Sequence, residues 1–316
     1  MNFSKKTIKT LMSSCSHKLP HIVANKLPLG LPHKKERWSI GIYTGNSPLK
    51  LNPPEYVMNP VLSRGDITDV HAGFVADPFM VWVKPTWYLF FEVLNQKTRR
   101  GEIGLATSSD AIDWRYQKIV LAEPFHLSYP YVFDWMNEYY MIPESHESGS
   151  IRLYKASLFP TQWSFVGILL NGPTFLDPSI FRHADKWWLF AETNPKHRFD
   201  TLRLYYADEL LGPWTEHPKS PIINGDAHIA RPGGRVVTIN GRMIRYAQDC
   251  FPEYGMRVRA FEMLELNPER YQEREIESGP VLSPSGQGWN AAGMHHIDPH
   301  QSADGTWIAC VDGRIF

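Results

Sequence analysis

The chain has 316 residues, of which 43% are hydrophobic and 21% are charged, and its 33 basic residues balance its 33 acidic residues. This is the composition of a folded globular protein, and it excludes disordered, collagen-like and disulfide-scaffold classes. The sequence contains no apolar run of about 18 residues, the length that would span a bilayer. Its neutral charge balance argues against a nucleic-acid partner.

The first 37 residues are strongly basic, with eight Lys or Arg against one acid, Glu36. We predict that residues 1–37 form a solvated extension and that residues 38–316 form one domain. Contact of the basic segment with an anionic lipid surface is the alternative. The segment lacks the apolar core of a secretory signal, and the three cysteines are too scattered for a disulfide framework. The expected location is cytoplasmic, with a membrane-peripheral location as the alternative.

A repeat begins with dipeptides that end in proline and are spaced 52, 48 and 54 residues apart. They are Asp77-Pro78, Tyr129-Pro130, Asp177-Pro178 and Arg231-Pro232. Each of the first three is followed by two aromatic residues and then by a glutamate, which is Glu92, Glu144 or Glu192. A small-residue segment and a tryptophan complete each unit, at Trp114, Trp163 and Trp214. Each unit predicts four antiparallel strands.

The fourth repeat contains the hairpin signal Asn240-Gly241, and a fifth, from His295, stops after two strands at Asp312. The segment Trp38–Tyr43 is available to supply a missing strand of that last unit. We therefore predict an all-β fold, a five-bladed β-propeller of four-stranded antiparallel blades whose last blade is closed by an N-terminal strand. The repeated aromatic residues are predicted to form the core between blades.

The first strands of a propeller line its central channel, so their starts converge on one face. We expect Asp77, Tyr129, Asp177, Arg231 and the segment 295–298 to be neighbours there. Two carboxylates across a sugar-sized gap suit the cleavage of a glycosidic bond. The alternative is that each Asp-Pro pair only begins a strand.

These residues carry a resemblance to a known superfamily. The segments Val75–Phe79, Trp87–Glu92 and Leu176–Ser179 resemble the five-bladed glycosidases of glycoside hydrolase families 43, 32, 68 and 130. The strings FVADPF, HLSYPYVF, GGR, QDC and HHID are similar to the N-terminal domain of plant glucosamine inositolphosphorylceramide transferases and their bacterial relatives.

The resemblance implies a role for each aspartate. It implies that Asp77 is the general base or nucleophile, and that Asp177 holds the substrate and tunes the pKa of the acid. It also implies a glutamic acid at the start of the fourth blade, where this chain has Arg231. Three residues are available to replace that acid, namely Glu144, Asp226 and Glu192, and Glu144 is the predicted choice. The alternative for Glu144 is a structural carboxylate that binds backbone N–H groups.

The predicted catalytic residues are thus Asp77, Asp177 and Glu144. Arg231 and Arg235, with Gly233 and Gly234 allowing close backbone approach, are predicted to form a fork for an anionic oxygen. The predicted substrate-binding residues are Tyr129, Arg231, Arg235, Asp249, His295, His296 and Asp298.

The leading functional prediction is a carbohydrate-active enzyme that acts on glycosidic linkages in a carbohydrate or sugar-conjugate substrate. A glycosyltransferase or phosphorylase that uses the two arginines is one alternative, and a non-catalytic glycan-binding propeller is another. No cofactor is predicted. No metal site is predicted either, because adjacent side chains such as His295 and His296 point to opposite faces of a strand.

Overall fold

The computed structural model describes residues 37–276 and 279–316, so the predicted basic extension lies almost entirely outside the described residues. The regular secondary structure of this part is nearly all strand. Its helical elements are three single 3-10 turns, η1 (Arg64–Asp66), η2 (His146–Ser148) and η3 (Gly288–Asn290). In these same residues, no helix has the length and apolar character needed to cross a membrane.

The strands form five antiparallel sheets, the blades of a five-bladed β-propeller, as predicted. The chain begins with two strands of the last blade, β1 (Arg37–Ser47) and β2 (Lys50–Asn52). Blade one follows with β3 (Ala72–Val83), β4 (Thr86–Asn95), β5 (Arg100–Ser108) and β6 (Arg115–Leu121). Blade two consists of β7 (Ser128–Trp135), β8 (Glu138–Glu144), β9 (Ser150–Leu158) and β10 (Gln162–Asn171).

Blades three and four each carry one extra short strand. Blade three consists of β11 (Leu176–His183), β12 (Lys186–Glu192), β13 (Thr201–Ala207), β14 (Thr215–Glu216) and β15 (Ile223–Asn224). Blade four consists of β16 (Arg231–Pro232), β17 (Val237–Ile239), β18 (Arg242–Asp249), β19 (Arg257–Leu266) and β20 (Tyr271–Glu275). Blade five is completed by β21 (Ile297–Gln301) and β22 (Trp307–Ile315).

The ring is closed by the pairing of the two ends of the described chain. Strand β1 lies antiparallel to β22, in a register that runs from Arg37 opposite Ile315 to Gly45 opposite Trp307. The last blade therefore has the order β2-β1-β22-β21. This confirms the prediction that the segment from Trp38 completes the fifth blade.

The repeated aromatic residues pack where the repeat predicts. Trp114 is 8% exposed, and the equivalent Trp163 and Trp214 pack against the apolar core as partly buried side chains. Each of the three donates its indole N–H to a backbone carbonyl three or four residues earlier, at 3.0 to 3.2 Å. Each ring thus buries its apolar surface while its one polar group remains bonded.

An unusual backbone feature recurs where the first three blades begin. Asp77, Tyr129 and Asp177 have φ angles of +51°, +45° and +48°, although each precedes a proline. The strand register shifts at the same point in all three blades. A residue before proline normally adopts an extended conformation, and a left-handed non-glycine residue costs about 1–3 kcal/mol. The three blades therefore hold these residues in a strained bulge that aims their side chains differently from the rest of the strand.

Candidate functional site

The starts of blades one to four meet at one end of the channel. The backbone N–H of Tyr129 donates to Asp77 Oδ2 at 3.3 Å, and Arg231 binds Asp177. Asp77 and Asp177 are also close enough for the charge of Asp177 to raise the pKa of Asp77. The structure thus brings together four predicted site residues that lie up to 154 positions apart in the sequence.

Asp177 lies at the centre of a buried polar network and is 0% exposed. Arg231 donates to both of its oxygens, from Nε at 2.6 Å and from Nη2 at 3.3 Å. The Gln248 amide donates to the same carboxylate at 2.5 Å. The Glu144 carboxylate accepts the backbone N–H of Asp177 at 3.0 Å and lies 3.6 Å from Arg231. Asp177 is therefore fixed in place, with little freedom to turn toward a ligand.

Glu144 is ionised in this network. Burial opposes its charge, but the hydrogen bond from His146 and the charge of Arg231 hold the pKa of Glu144 well below its usual range. Its Oε1 lies 2.9 Å from His146 Nδ1. The contacts of Glu144 match the structural alternative stated for it above, since it binds a backbone N–H at the start of the next blade.

Asp77 lies in a buried environment beside other acidic groups. It is 4% exposed, and its Oδ1 is buried without a hydrogen-bond partner among the described residues. Burial, together with the charges of Asp177 and Glu92, raises the pKa of Asp77 well above its usual range. The nearest basic group is His295, whose Nε2 lies 3.8 Å from Asp77 Oδ1. Asp77 therefore has one oxygen available to a bound group.

His295 is oriented by Asp312 of the last blade. Its Nδ1 lies 2.7 Å from Asp312 Oδ2, and the same carboxylate accepts the backbone N–H of Asp77 at 3.1 Å. The His295 ring stacks on Trp38, with centroids 3.9 Å apart and planes 15° apart. Burial opposes the charge of Asp312, but His295 lowers the pKa of this carboxyl. His295 thus presents Nε2 toward Asp77 in a fixed orientation.

These three side chains also form a candidate metal-ligand group. Within the described ranges, the ligand atoms of Asp77, His295 and Asp312 all lie within 4.8 Å of one another. One imidazole and two carboxylates are ligands that divalent metals accept. Two of the candidate ligand atoms, Asp77 Oδ1 and His295 Nδ1, have no hydrogen-bond partner among the described residues.

Aromatic rings that the sequence analysis did not assign to the site surround Arg231. The guanidinium carbon lies 4.8 Å from the centroid of the Phe199 ring and 4.9 Å from that of Tyr254. The Tyr254 ring in turn meets His295 edge to face, with centroids 5.1 Å apart. Trp38, which stacks on His295, completes this aromatic wall. These rings lie outside the repeated positions, which is why the repeat did not reveal them.

The predicted fork of Arg231 and Arg235 is not formed. Arg235 donates from Nε to Asp298 Oδ1 at 2.6 Å and from Nη2 to the carbonyl of Val132 at 2.9 Å, whereas Arg231 binds Asp177. Asp298 is 0% exposed and also accepts the backbone N–H of Met80. Arg235 and Asp298 therefore form an internal ion pair within the channel. Each guanidinium is instead held by buried carboxylates, so the role of this pair in binding an anionic oxygen stays a prediction.

Two other predicted binding residues, Tyr129 and Asp249, are hydrogen-bonded inside the protein, and a third, His296, is buried with neither ring nitrogen bonded to a described residue. The Tyr129 hydroxyl lies 2.8 Å from Ser179 Oγ and donates to the carbonyl of Gly234. Burial lowers the pKa of His296 to about 4, so its ring is neutral at pH 7. Asp249 Oδ1 lies 2.8 Å from His228 Nδ1, and its Oδ2 accepts hydrogen bonds from Arg259.

Comparison with known proteins gives the family. The family model described as "Glucosamine inositolphosphorylceramide transferase 1, N-terminal" matches residues 32–314. The chain belongs to this family. Glucosamine inositolphosphorylceramide transferase 1 of Oryza sativa subsp. japonica is 38% identical over 303 residues, which cover 90% of this chain and 41% of that protein. The Arabidopsis thaliana protein of the same name is 36% identical, and the match covers 87% of this chain and 39% of that protein. This member of the glucosamine inositolphosphorylceramide transferase 1 N-terminal family thus spans about two fifths of these curated relatives.

Solved structures show the same fold at low sequence identity. A β-1,2-mannobiose phosphorylase from Listeria innocua matches with a TM-score of 0.63 and 14% identity, over 87% of this chain and 97% of that chain. A thermostable family-43 glycoside hydrolase matches with a TM-score of 0.57 and 16% identity, over 82% of this chain and 91% of that chain. This member of the glucosamine inositolphosphorylceramide transferase 1 N-terminal family therefore shares the propeller fold of these proteins.

Proposed function

We propose that this propeller is a carbohydrate-active enzyme that acts on a glycosidic linkage at the site formed by Asp77 and Asp177. The observation that carries the proposal is the buried Oδ1 of Asp77, a carboxylate oxygen without a partner among the described residues. A buried polar atom without a partner costs about 1–3 kcal/mol, so each such atom in a folded protein calls for an explanation. The relatives are named as transferases, with the sugar glucosamine in the name, and this supports a carbohydrate ligand.

Asp77 is suited to the chemical step and Asp177 to positioning. The raised pKa of Asp77 makes it a stronger base than a solvated carboxylate, so it is suited to take a proton from water or from an acceptor hydroxyl. Asp177 is held by Arg231 and Gln248 and places a second carboxylate beside it. A positive charge that develops on a sugar ring would be stabilised between two such groups.

The contacts of Glu144 support a positioning role for this residue. An ionised carboxylate has no proton to donate, and Glu144 is held ionised by His146 and Arg231. Its hydrogen bond to the backbone of Asp177 instead supports the strained bulge that carries that residue. The predicted acid role of Glu144 is therefore not part of the proposal.

The contacts of the arginines do not favour the alternative of an anionic donor. Arg231 is shared by Asp177 and Glu144, and Arg235 is bound to Asp298. Each guanidinium is thus already neutralised by at least one buried carboxylate. A phosphate group at this site would meet more negative than positive charge.

The test measures turnover and binding separately in wild type, Asp77→Asn and the control Asp304→Asn, which alters an exposed aspartate between β21 and β22. A panel of aryl glycosides and oligosaccharides is assayed with water, with an acceptor sugar and with inorganic phosphate. We expect Asp77→Asn to lower turnover by about 10²–10⁴-fold and to retain ligand binding by calorimetry. Binding without turnover in wild type would identify a glycan-binding module instead, and full activity of Asp77→Asn would overturn the assignment of the site.

A further inference from the structure

Each blade carries one buried carboxylate on its second strand. In blades one to four this strand ends in or close to an acidic residue, and in blade five it contains Asp312. The five carboxylates belong to Glu92, Glu144, Glu192, Asp249 and Asp312, and all are at most 5% exposed. Because the carboxylate recurs on the same strand of every blade, the partners of the five groups can be compared.

Four of these five carboxylates have a histidine partner. The separations are 3.2 Å for Glu92 with His126, 2.9 Å for Glu144 with His146, 2.8 Å for Asp249 with His228 and 2.7 Å for Asp312 with His295. The Glu144 and Asp249 pairs are hydrogen bonds. In the other two pairs the histidine lies beside the carboxylate, but Glu92 Oε1 and His295 Nδ1 have no hydrogen-bond partner among the described residues. A neighbouring histidine is thus common to four of the five buried carboxylates.

Glu192 is the exception. Its Oε1 accepts the backbone N–H groups of Asn194 at 2.9 Å and Thr201 at 3.3 Å, which lie at the two ends of the loop after β12. Its Oε2 is buried and has no hydrogen-bond partner among the residues that the structure describes. The side chain is 0% exposed. The backbone therefore binds one oxygen of Glu192, and the other oxygen has no hydrogen-bond partner among the described residues.

The position of Glu192 places it at the same end of the channel as Asp177. In the β11–β12 ladder it lies opposite Leu176, the residue before Asp177. It is close enough to Arg231 for that charge to lower its pKa, and Asp200 of the following loop acts in the opposite direction. Asp200 is itself paired with the exposed Arg198 at 3.1 Å. Burial outweighs these charges and raises the pKa of Glu192 to about 7.

We propose that Glu192 is the proton donor of the site, an inference that rests on the proposed function. The glycosidic C–O bond breaks with its electron pair on the leaving oxygen, which takes the proton of the Glu192 carboxylic acid. The new C–O bond forms to a water or acceptor hydroxyl, whose proton passes to Asp77. The free Oε2 is the atom that carries the transferred proton, directly or through one water.

The test compares leaving groups of different acidity in Glu192→Gln, in Asp77→Asn and in a control on the same blade, Glu216→Gln, which alters an exposed carboxylate of β14. A proton donor matters for a sugar leaving group and little for dinitrophenolate, which leaves without a proton. We expect Glu192→Gln to lower kcat/KM by about 10²–10⁴-fold for the sugar leaving group and by less than about tenfold for the dinitrophenyl glycoside. Asp77→Asn should lose both activities, and Glu216→Gln should lose neither. An equal loss on both substrates in Glu192→Gln, or no loss, would overturn the proposal.

An activity-independent measurement separates this inference from the proposed function. Infrared difference spectra of wild type and Glu192→Gln should show a protonated carboxyl band that disappears with a midpoint near the pKa of about 7. If the carboxyl band is present but no substrate is turned over, the proposed function is overturned and Glu192 remains only a protonated buried group. Turnover without the band would overturn the assignment of Glu192 as the donor.

Discussion

Arg231 of blade four binds Asp177 of blade three through two hydrogen bonds, at 2.6 and 3.3 Å, while Glu144 of blade two lies 3.6 Å from the same guanidinium. Removal of this guanidinium would leave the buried Asp177 without its counter-charge and Glu144 with His146 as its remaining partner. Arg231→Met should therefore lower the free energy of unfolding by about 3–5 kcal/mol, as measured by denaturant unfolding. The control Arg203→Met, which loses an exposed pair with Glu216, should lower it by less than about 1 kcal/mol. Equal losses in the two variants would show that the network does not stabilise the fold.

Gly234 allows blades four and five to approach each other. A Cβ atom at this position would lie 1.8 Å from the carbonyl oxygen of Ile297, and the φ angle of Gly234 is +146°. Gly234→Ala should lower the free energy of unfolding by about 3 kcal/mol or more, because it adds both steric overlap and backbone strain. The control is Gly65→Ala, where the nearest atom to an added Cβ is 3.5 Å away. A thermal unfolding curve of Gly234→Ala that overlays that of wild type would contradict the close approach.

A substitution of Tyr129 tests whether this residue has a structural or a binding role. Its hydroxyl lies 2.8 Å from Ser179 Oγ and 3.1 Å from the carbonyl oxygen of Gly234. Tyr129→Phe should lower the free energy of unfolding by about 1–3 kcal/mol, because it leaves these buried groups with only the longer contact of 3.4 Å between Ser179 Oγ and the Gly234 carbonyl. Calorimetry should show the same ligand affinity as wild type. A tenfold weaker affinity with unchanged stability would support Tyr129 as a substrate-binding residue.

The raised pKa of Glu192 makes a prediction about stability at different pH values. Its pKa is about 7 in the folded protein, against 4.5 as the ordinary value, so the folded state favours the protonated form. The contribution of Glu192 to the free energy of unfolding is fully present below about pH 4.5. It falls as the pH rises and is lost above about pH 7. Glu192→Gln removes this loss, so it should be more stable than wild type by up to roughly 3 kcal/mol at pH 8. Unfolding curves at pH 5 and pH 8 measure the difference, and a difference independent of pH would contradict an elevated pKa.

The fold was predictable because the repeated motifs mark equivalent positions in successive blades. The proline dipeptides at Asp77, Tyr129 and Asp177 fall at the same bulge in three blades, and the structure confirms a blade at each. The closing strand was predictable because the fifth unit lacks two strands and the segment from Trp38 lies outside the repeats.

The candidate site was only partly predictable. The convergence of Asp77, Asp177 and Arg231 follows from the topology, but the partner of each charge depends on side-chain directions that a repeat does not encode. Arg235 therefore binds Asp298 within the channel. Tyr254 comes from a connection between strands, where no periodicity marks it.

The antiparallel clasp of β1 and β22 has a mechanical consequence. Arg37 lies opposite Ile315, so the two outer ends of these strands leave the propeller at the same edge of the last blade. A force that separates these ends acts across the hydrogen bonds of the ladder and loads them one pair at a time. The hydrogen bonds between β1 and β22 would therefore break one after another. A parallel pairing of the ends would be loaded in shear, and all of its hydrogen bonds would have to break together. Under tension, the fifth blade is the place where the ring would open first.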